Sequence, residues 1–133
     1  MDAAVIHFQL RAADTDGLSR FYEHVLGWSV EPAMMGLDGS DVQGPFRWVE
    51  SGPDGIAGGI VHDDRPAGVV VVVAVDDVTA TVERALALGG HTDGPADDLW
   101  LRRTDAGVDR FIYAEIVDPE GKRIGLMHRR RSR

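Results

Sequence analysis

The sequence predicts an α+β fold: two βαβββ modules packed as one domain, helices outside and a curved mixed sheet inside. Three observations carry this. A strand-then-helix unit near the N-terminus returns 63 residues later, with Asp14 falling on Asp77 and Gly27 on Gly90. At a displacement of 66, Pro53-Asp54-Gly55 falls on Pro119-Glu120-Gly121, and Gly59-Ile60-Val61-His62 on Gly125-Leu126-Met127-His128. At 133 residues the chain has room for one core and not for two ordinary domains. Hairpins and Gly-ended helices are common, but two matched units in one order at nearly one offset make a repeat. Units that each expose an apolar sheet face must pack together.

The elements follow in order. In the stretch from Val5 to Arg11, Ile6, Phe8 and Leu10 alternate with His7, Gln9 and Arg11, the period of a half-buried strand. Asp14 is placed to cap a helix whose apolar residues Leu18, Phe21, Tyr22 and Val25 fall at helical spacing, and Gly27 stops it. Trp28–Glu31 is a weak strand and Asp38–Gly44 a Gly/Asp-rich loop. Phe46–Glu50 and Ile56–His62 flank the first Pro-acid-Gly turn, in which Pro suits the second turn position and Gly the left-handed one. After a junction over residues 63–68 the order repeats. Val69–Val75 is a valine-rich strand, and Asp77 caps a helix with apolar Val78, Val82, Ala85 and Leu86, stopped at Gly90. Thr92–Asp98 is a loop and Leu99–Thr104 a weak strand; Arg110–Val117 and Arg123–His128 flank the second turn.

Composition narrows the function classes. The chain is 44% hydrophobic and 27% charged, as soluble globular proteins are. No apolar run approaches the ~18 residues of a membrane span, and no Lys/Arg-led apolar segment follows Met1, so neither a membrane partner nor a secretory leader is expected. The absence of cysteine excludes disulfides, thiolate metal sites and cysteine nucleophiles, and fits a cytoplasmic protein. Net charge is −8 although Arg129-Arg130-Arg131-Ser132-Arg133 ends the chain. An acidic body repels phosphate backbones, so nucleic acid is not an expected partner, and the tail reads as a solvated end.

The stretch His7-Phe8-Gln9-Leu10-Arg11-Ala12-Ala13-Asp14, running into Phe21-Tyr22 and Val25-Leu26-Gly27-Trp28, resembles the opening strand and helix of the vicinal-oxygen-chelate superfamily of glyoxalase, bleomycin-resistance and dioxygenase proteins. Val75-Asp76-Asp77-Val78 with Leu88-Gly89-Gly90 is similar to its second opening, and Asp118-Pro119-Glu120-Gly121 to its closing hairpin. The resemblance spans Val5 to His128. It implies one domain over residues 3–128, with halves at about 3–62 and 69–128 and a basic tail at 129–133. It further implies a cup-shaped mixed sheet that holds a small organic molecule, in many members beside a divalent metal, and a homodimer. The metal enzymes place one ligand on each of four inner strands. Here the matching positions are His7, Val70, Gly59 and Gly125, of which only His7 carries a lone pair suited to a metal. No metal and no other cofactor is therefore expected.

Alternation along the strands lists the lining of the cup. If His7 points in, Gln9 and Arg11 do too; the repeat adds Val70, Val72, Ala74, Gly59, Val61, Gly125 and Met127. A bulge at Gly121 sets Gly125 opposite Glu115 and Met127 opposite Tyr113, and the same geometry in the first half sets Val49 opposite Gly59 and Arg47 opposite Val61. A bulge one residue different would exchange Tyr113 and Glu115 for Ile112 and Ala114. On this parity Arg47 faces the cup and Trp48 faces away. The ligand-binding set is thus His7, Gln9, Arg47, Gly59, Val61, Val70, Tyr113, Glu115, Gly125 and Met127, with the glycines leaving room for a bulkier or flatter ligand. His7 is a wall residue, a hydrogen-bond donor or general base, or a metal ligand. Glu115 is a solvated residue, a partner for Arg47, or a proton carrier. Trp28, Trp48 and Trp100 are expected to pack in the core or a dimer contact rather than on a ligand. The leading expectation is a metal-independent binding protein. The others are an enzyme moving protons on a carbonyl-containing substrate through His7 and Glu115, a standard metal enzyme, and a regulatory partner.

Overall fold

The computed structural model describes residues 3–32, 46–64, 68–92, 97–104 and 107–131; the expected loop at Asp38–Gly44 and parts of the two other connections lie outside them. The first half comprises β1 (Val5–Ala12), α1 (Thr15–Leu26), β2 (Ser29–Pro32), β3 (Phe46–Glu50) and β4 (Ala57–His62). The second comprises β5 (Val69–Ala74), α2 (Val78–Ala87), β6 (His91–Thr92), β7 (Asp97–Thr104), β8 (Gly107–Val117) and β9 (Arg123–Arg131). One mixed sheet runs β2-β3-β4-β1-β5-β9-β8-β6, with β7 also paired to β8. Within each half the opening and closing strands are parallel, β1 with β4 and β5 with β9. The halves join through the antiparallel pair β1–β5.

Both helices begin where a side-chain oxygen meets the backbone donors that the first turn leaves orphaned. Asp14 accepts from the Gly17 amide at 2.9 Å and Asp77 from the Ala80 amide at 3.0 Å. Gly27 ends α1 in the left-handed region (φ 70°), its amide bonded to Glu23. The second helix stops differently from its expected end at Gly90. Leu88 caps it and Gly89 takes the positive φ, while Gly90 serves close approach: a Cβ there would sit 3.0 Å from the Ala85 and Val117 carbonyl oxygens. None of the helices among the described residues is long and apolar enough to cross a membrane.

The two hairpins diverge, and the divergence decides what faces the cup. In the second, the Asp118 carboxylate accepts from the Glu120 and Lys122 amides, both at 2.9 Å, and Gly121 holds φ 88°. This clamp fixes the expected register, Glu115 opposite Gly125 and Tyr113 opposite Met127. The repeat puts Gly52 where Asp118 stands, so the first hairpin has no carboxylate to clamp it. Both turns share the backbone bond, Gly55 to the Gly52 carbonyl and Gly121 to the Asp118 carbonyl, but in the first the added side-chain bond is from the Ser51 hydroxyl to the Ile56 carbonyl. The register there is one residue away from expectation: Val49 lies opposite Gly58, Trp48 opposite Gly59 and Arg47 opposite Ile60.

Other boundaries also moved. The strand expected from Leu99 begins at Asp97, β8 begins at Gly107 rather than Arg110, and β9 continues through Arg131. The backbone of Arg129 to Arg131 pairs with Phe111 to Asp109, so the start of the basic tail is strand. Beneath α1, Ala12, Val49 and Ile60 form a core with Phe8, Leu10, Leu18, Trp28 and Val30 against it; beneath α2, Val75, Val78, Ala114 and Leu126 do so with Val73, Val82, Ile112, Ile116 and Ile124. Ile112 and Ala114 on the helix side leave Tyr113 and Glu115 on the opposite, concave face.

Candidate functional site on the concave face

Strand β1 presents His7, Gln9 and Arg11 to the concave face, and β5 answers with Val70 opposite Gln9 and Val72 opposite His7. Next to β5, β9 supplies Gly125 opposite Val72, and β8 supplies Glu115 opposite Gly125 and Tyr113 opposite Met127. Val72, Tyr113 and Met127 pack as one apolar cluster. The sheet is curved enough that side chains of β1 reach those of β8, three strands away.

That reach produces a polar network. The Arg11 guanidinium donates to Gln9 Oε1 at 2.6 Å and to the Glu115 carboxylate, and its other amino group lies 3.6 Å from Asp63. Arg123 donates to the second oxygen of Glu115 at 3.1 Å, and the Thr92 hydroxyl donates to the Glu115 backbone carbonyl at 2.9 Å. The Tyr113 hydroxyl is 2.6 Å from Glu115 Oε2 and 3.2 Å from Gln9 Oε1. It has one proton to give, and the shorter contact to a charged acceptor takes it. Burial, then the Glu115 charge, pushes the Tyr113 pKa well above its ordinary value, so the phenol keeps that proton. Two guanidinium groups and two carboxylates balance, and the Arg11 Nε is a buried donor with no partner among the described residues.

His7 stands apart from this network. Its ring lies 5.2 Å from the Trp48 ring, centroid to centroid. Burial lowers its pKa from 6.5 to about 4, which makes it a neutral imidazole at physiological pH. A neutral ring offers one donor and one acceptor nitrogen and no charge.

The structure places the expected lining as follows. His7, Gln9, Val70, Tyr113, Glu115, Gly125 and Met127 lie on one concave surface. Gly59 pairs with Gln9 and with Trp48, and Val61 pairs with Arg11. Arg47 is not part of it: with the first hairpin's register displaced, its guanidinium meets Asp16 of α1 at 2.9 Å, on the helix side. For the same reason Trp48, expected to face away, faces His7. Trp28 packs against Phe8 and Tyr22, as expected of a core aromatic; the Trp100 side chain lies outside the described residues. Sequence reasoning turned Arg11 inward without a role and missed Asp63, Thr92 and Arg123 entirely. Arg11 was findable, two residues from Gln9 on one strand; Asp63 follows the strand paired with β1 and Arg123 lies diagonally across the β8–β9 pair from Glu115, and only the reach of Arg11 to Glu115 depends on the curvature.

The four positions at which the family resemblance puts metal ligands do not fit a metal. Val70 has no lone pair. At Gly125 an added Cβ would lie 2.7 Å from the Tyr113 hydroxyl and 2.9 Å from its ring, so the phenol occupies the space a ligand side chain would need. Among the described residues no three His, Cys, Asp or Glu side chains are grouped to hold an ion. The room that glycines were expected to leave is therefore filled at Gly125. A cavity of about 240 Å³ lined by Asp76, Asp77, Val78, Thr79, Ile112 and His128 lies at the start of α2, beside the helix-side core.

Comparison with known proteins agrees with this architecture. A family model described as a glyoxalase-like domain matches residues 6–127. A hypothetical protein of known structure from Bacillus halodurans C-125 aligns with a TM-score of 0.62 at 10% identity, covering 100% of this chain and 99% of its own. Methylmalonyl-CoA epimerase from Mycobacterium tuberculosis gives 0.54 at 18% identity, over 92% of this chain and 85% of that one. A glyoxalase/bleomycin resistance protein/dioxygenase superfamily member from Vibrio splendidus 12B01 gives 0.54 at 15% identity, over 95% and 98%. These similarities are of fold. No curated protein matches the chain significantly.

Proposed function

Because the chain belongs to the glyoxalase-like family within the vicinal-oxygen-chelate superfamily, we propose that it binds a small, uncharged organic molecule on its concave face without a metal ion. The observation that carries this reading is the Tyr113 phenol lying over Gly125, held there by Glu115 and Gln9. A side chain that fills a ligand position and is itself hydrogen-bonded leaves no coordination sphere to complete. The preference for an uncharged ligand follows from the charges. Arg11 and Arg123 are both turned onto Glu115, and Arg11 also lies near Asp63, so an anion would have to break pairs already made. Of the groups suited to a planar or apolar molecule, Trp48 is half-buried, and a ligand entering beside it would meet the neutral His7 ring and the buried Val70, Val72 and Met127 behind it.

The same contacts weaken the reading in which His7 and Glu115 move protons on a carbonyl substrate. Both oxygens of Glu115 are engaged by Arg11, Arg123 and Tyr113, so any proton transfer there must first dismantle the network. His7 alone remains as a donor or a weak base.

A thermal-shift titration of chelator-treated protein with Ni²⁺, Zn²⁺, Mn²⁺ and Fe²⁺, alongside a panel of neutral aromatic compounds, tests the proposal. The expected result is stabilisation by members of the organic panel, lost in Trp48→Ala or His7→Ala, and none by any metal. A stoichiometric metal abolished by His7→Ala overturns it. Turnover of a carbonyl compound, such as a CoA thioester, that disappears in His7→Ala replaces it with the enzymatic reading. The steric basis is checked separately: Gly125→Glu is expected to destabilise the protein, and Tyr113→Ala in the same chain to restore much of the loss.

A further inference from the structure

Gln9 is 1% exposed and His7 3%, two polar side chains of β1 on the concave face, with Val70 and Val72 opposite them on β5. The two ends of the Gln9 amide have unequal surroundings. Its oxygen accepts from the Arg11 guanidinium at 2.6 Å and lies 3.2 Å from the Tyr113 hydroxyl. A flipped amide would set its nitrogen against the Arg11 guanidinium, donor facing donor, so Arg11 fixes which end is which. The nitrogen is thereby turned away from the network, and among the described residues nothing accepts from either of its protons.

The His7 ring is in the same position. It touches the Phe8 and Trp48 rings, and among the described residues neither of its nitrogens has a hydrogen-bond partner. Buried polar groups of folded proteins are paired almost throughout, so two unpaired neighbours on one face point to a molecule that completes them. The unpaired Arg11 Nε is sealed from solvent, whereas the Gln9 and His7 nitrogens are not, so a molecule in the cup can reach them. Gln9, Gly59 and Trp48 stand in one row across β1, β4 and β3, and Gly59 contributes no side chain between the amide and the indole.

We propose that the Gln9 amide nitrogen is the donor that selects the ligand, and that the ligand is a planar, uncharged molecule carrying a carbonyl oxygen, of the aryl ketone or aryl amide class. A carbonyl oxygen has two lone pairs. One accepts from Gln9, and the N–H of the His7 ring supplies the other. Same-face neighbours on a strand stand ~7 Å apart, a span that one oxygen between two inward side chains bridges. The ring of the ligand then lies toward Trp48. A carboxylate would accept from the same donors, but Arg11 and Arg123 are already turned onto Glu115, so its buried charge would lack a counter-ion. Arg11 is a positioning residue here, acting on the ligand only through the amide it orients. The inference rests on the reading of the concave face as a binding surface and adds the group that is recognised there.

The chain has two glutamines, Gln9 and Gln43, and no asparagine, so its side-chain amide region in a nitrogen-15 magnetic resonance spectrum holds two pairs of signals, which Gln9→Ala assigns. Titrations of the full chain with acetophenone, with ethylbenzene, which has a similar shape without the oxygen, and with benzoate test the proposal. Acetophenone is expected to bind ~10-fold tighter than ethylbenzene and to move the Gln9 amide signals while leaving those of Gln43. Gln9→Glu keeps an oxygen toward Arg11 and replaces the amide donors by an acceptor; it is expected to abolish the preference for the ketone and to leave ethylbenzene binding largely unchanged. Arg11→Met is expected to lower the same preference, and Arg11→Lys, which keeps a donor toward the amide oxygen, to restore part of it. Equal affinity for acetophenone and ethylbenzene, or a bound ketone that leaves the Gln9 signals in place, overturns the assignment while the binding reading stands. Tighter binding of benzoate than of acetophenone overturns the uncharged class, and binding of none of the three overturns both readings. If Gln9→Glu fails to fold, the wild-type amide signals and the ratio of the two affinities decide.

Discussion

At the scale of single residues, the concave face sets two ionisable systems side by side. His7 is buried against the Trp48 ring, and burial depresses its pKa to about 4 from 6.5. The unfolded chain therefore takes up the proton first. The stability that neutral His7 contributes is complete above pH 6.5 and is lost as pH falls through about 4. Urea unfolding followed between pH 7.5 and pH 4 should show stability falling across that window, by up to ~1.4 kcal/mol per unit, and His7→Gln should flatten the slope. Arg11 and Glu115 form an ion pair, each needing the other. Removing Arg11 (Arg11→Met) leaves Glu115 with Arg123 and Tyr113 only and is expected to cost ~2–3 kcal/mol. Tyr113→Phe, which deletes the one proton shared toward Glu115, is expected to cost ~1–2 kcal/mol. Denaturant curves of the two single variants and the double should show non-additivity, because the residues belong to one network.

At the scale of elements, what could be read in the sequence is what short-range chemistry encodes. Asp14 and Asp77 cap their helices as the spacing implies, and Ala at either position should lower stability by ~1 kcal/mol in thermal unfolding. The second hairpin was legible because Asp118-Pro119-Glu120-Gly121 carries its own clamp and its own left-handed residue. The first has the same Pro-acid-Gly letters without the carboxylate, and the register expected for it was wrong by one residue. That single residue moved Arg47 to the helix side and brought Trp48 to His7, so one error in a turn became two in the site. Asp118→Ala should therefore do more than lower the melting temperature: it should weaken the cross-strand contacts between Glu115 and Gly125 seen by nuclear magnetic resonance. The extra length of β7, β8 and β9 was not legible either, since Arg-rich and Gly/Asp-rich segments carry no strand period; pairing along a neighbour decides them.

At the scale of the whole molecule, the repeat gave the order of elements and the parallel pairs within each half, while the seam between halves depends on contacts far apart in the chain. Backbone pairing of β1 with β5 holds the seam on one level, and Arg11 reaching Glu115 and Tyr113 holds it on another, over 104 and 102 residues of chain. The halves have divided the labour: the first brings His7, Gln9 and Arg11 to the cup, and the second brings valines from its opening strand and the acid and phenol from β8.

The valine strand at the centre has a consequence for the life of the chain before it is folded. Uncharged and β-branched at every position but Ala74, the segment from Val69 to Val75 is the kind of sequence that stacks with its own copies into fibrils when it is exposed. It is bracketed by Asp63-Asp64 on one side and Asp76-Asp77 on the other. Asp77 caps a helix and Asp63 approaches Arg11 in the folded protein, but on a nascent or heat-opened chain all four carboxylates act as gatekeepers, charging both ends of the segment so that copies repel before they can align.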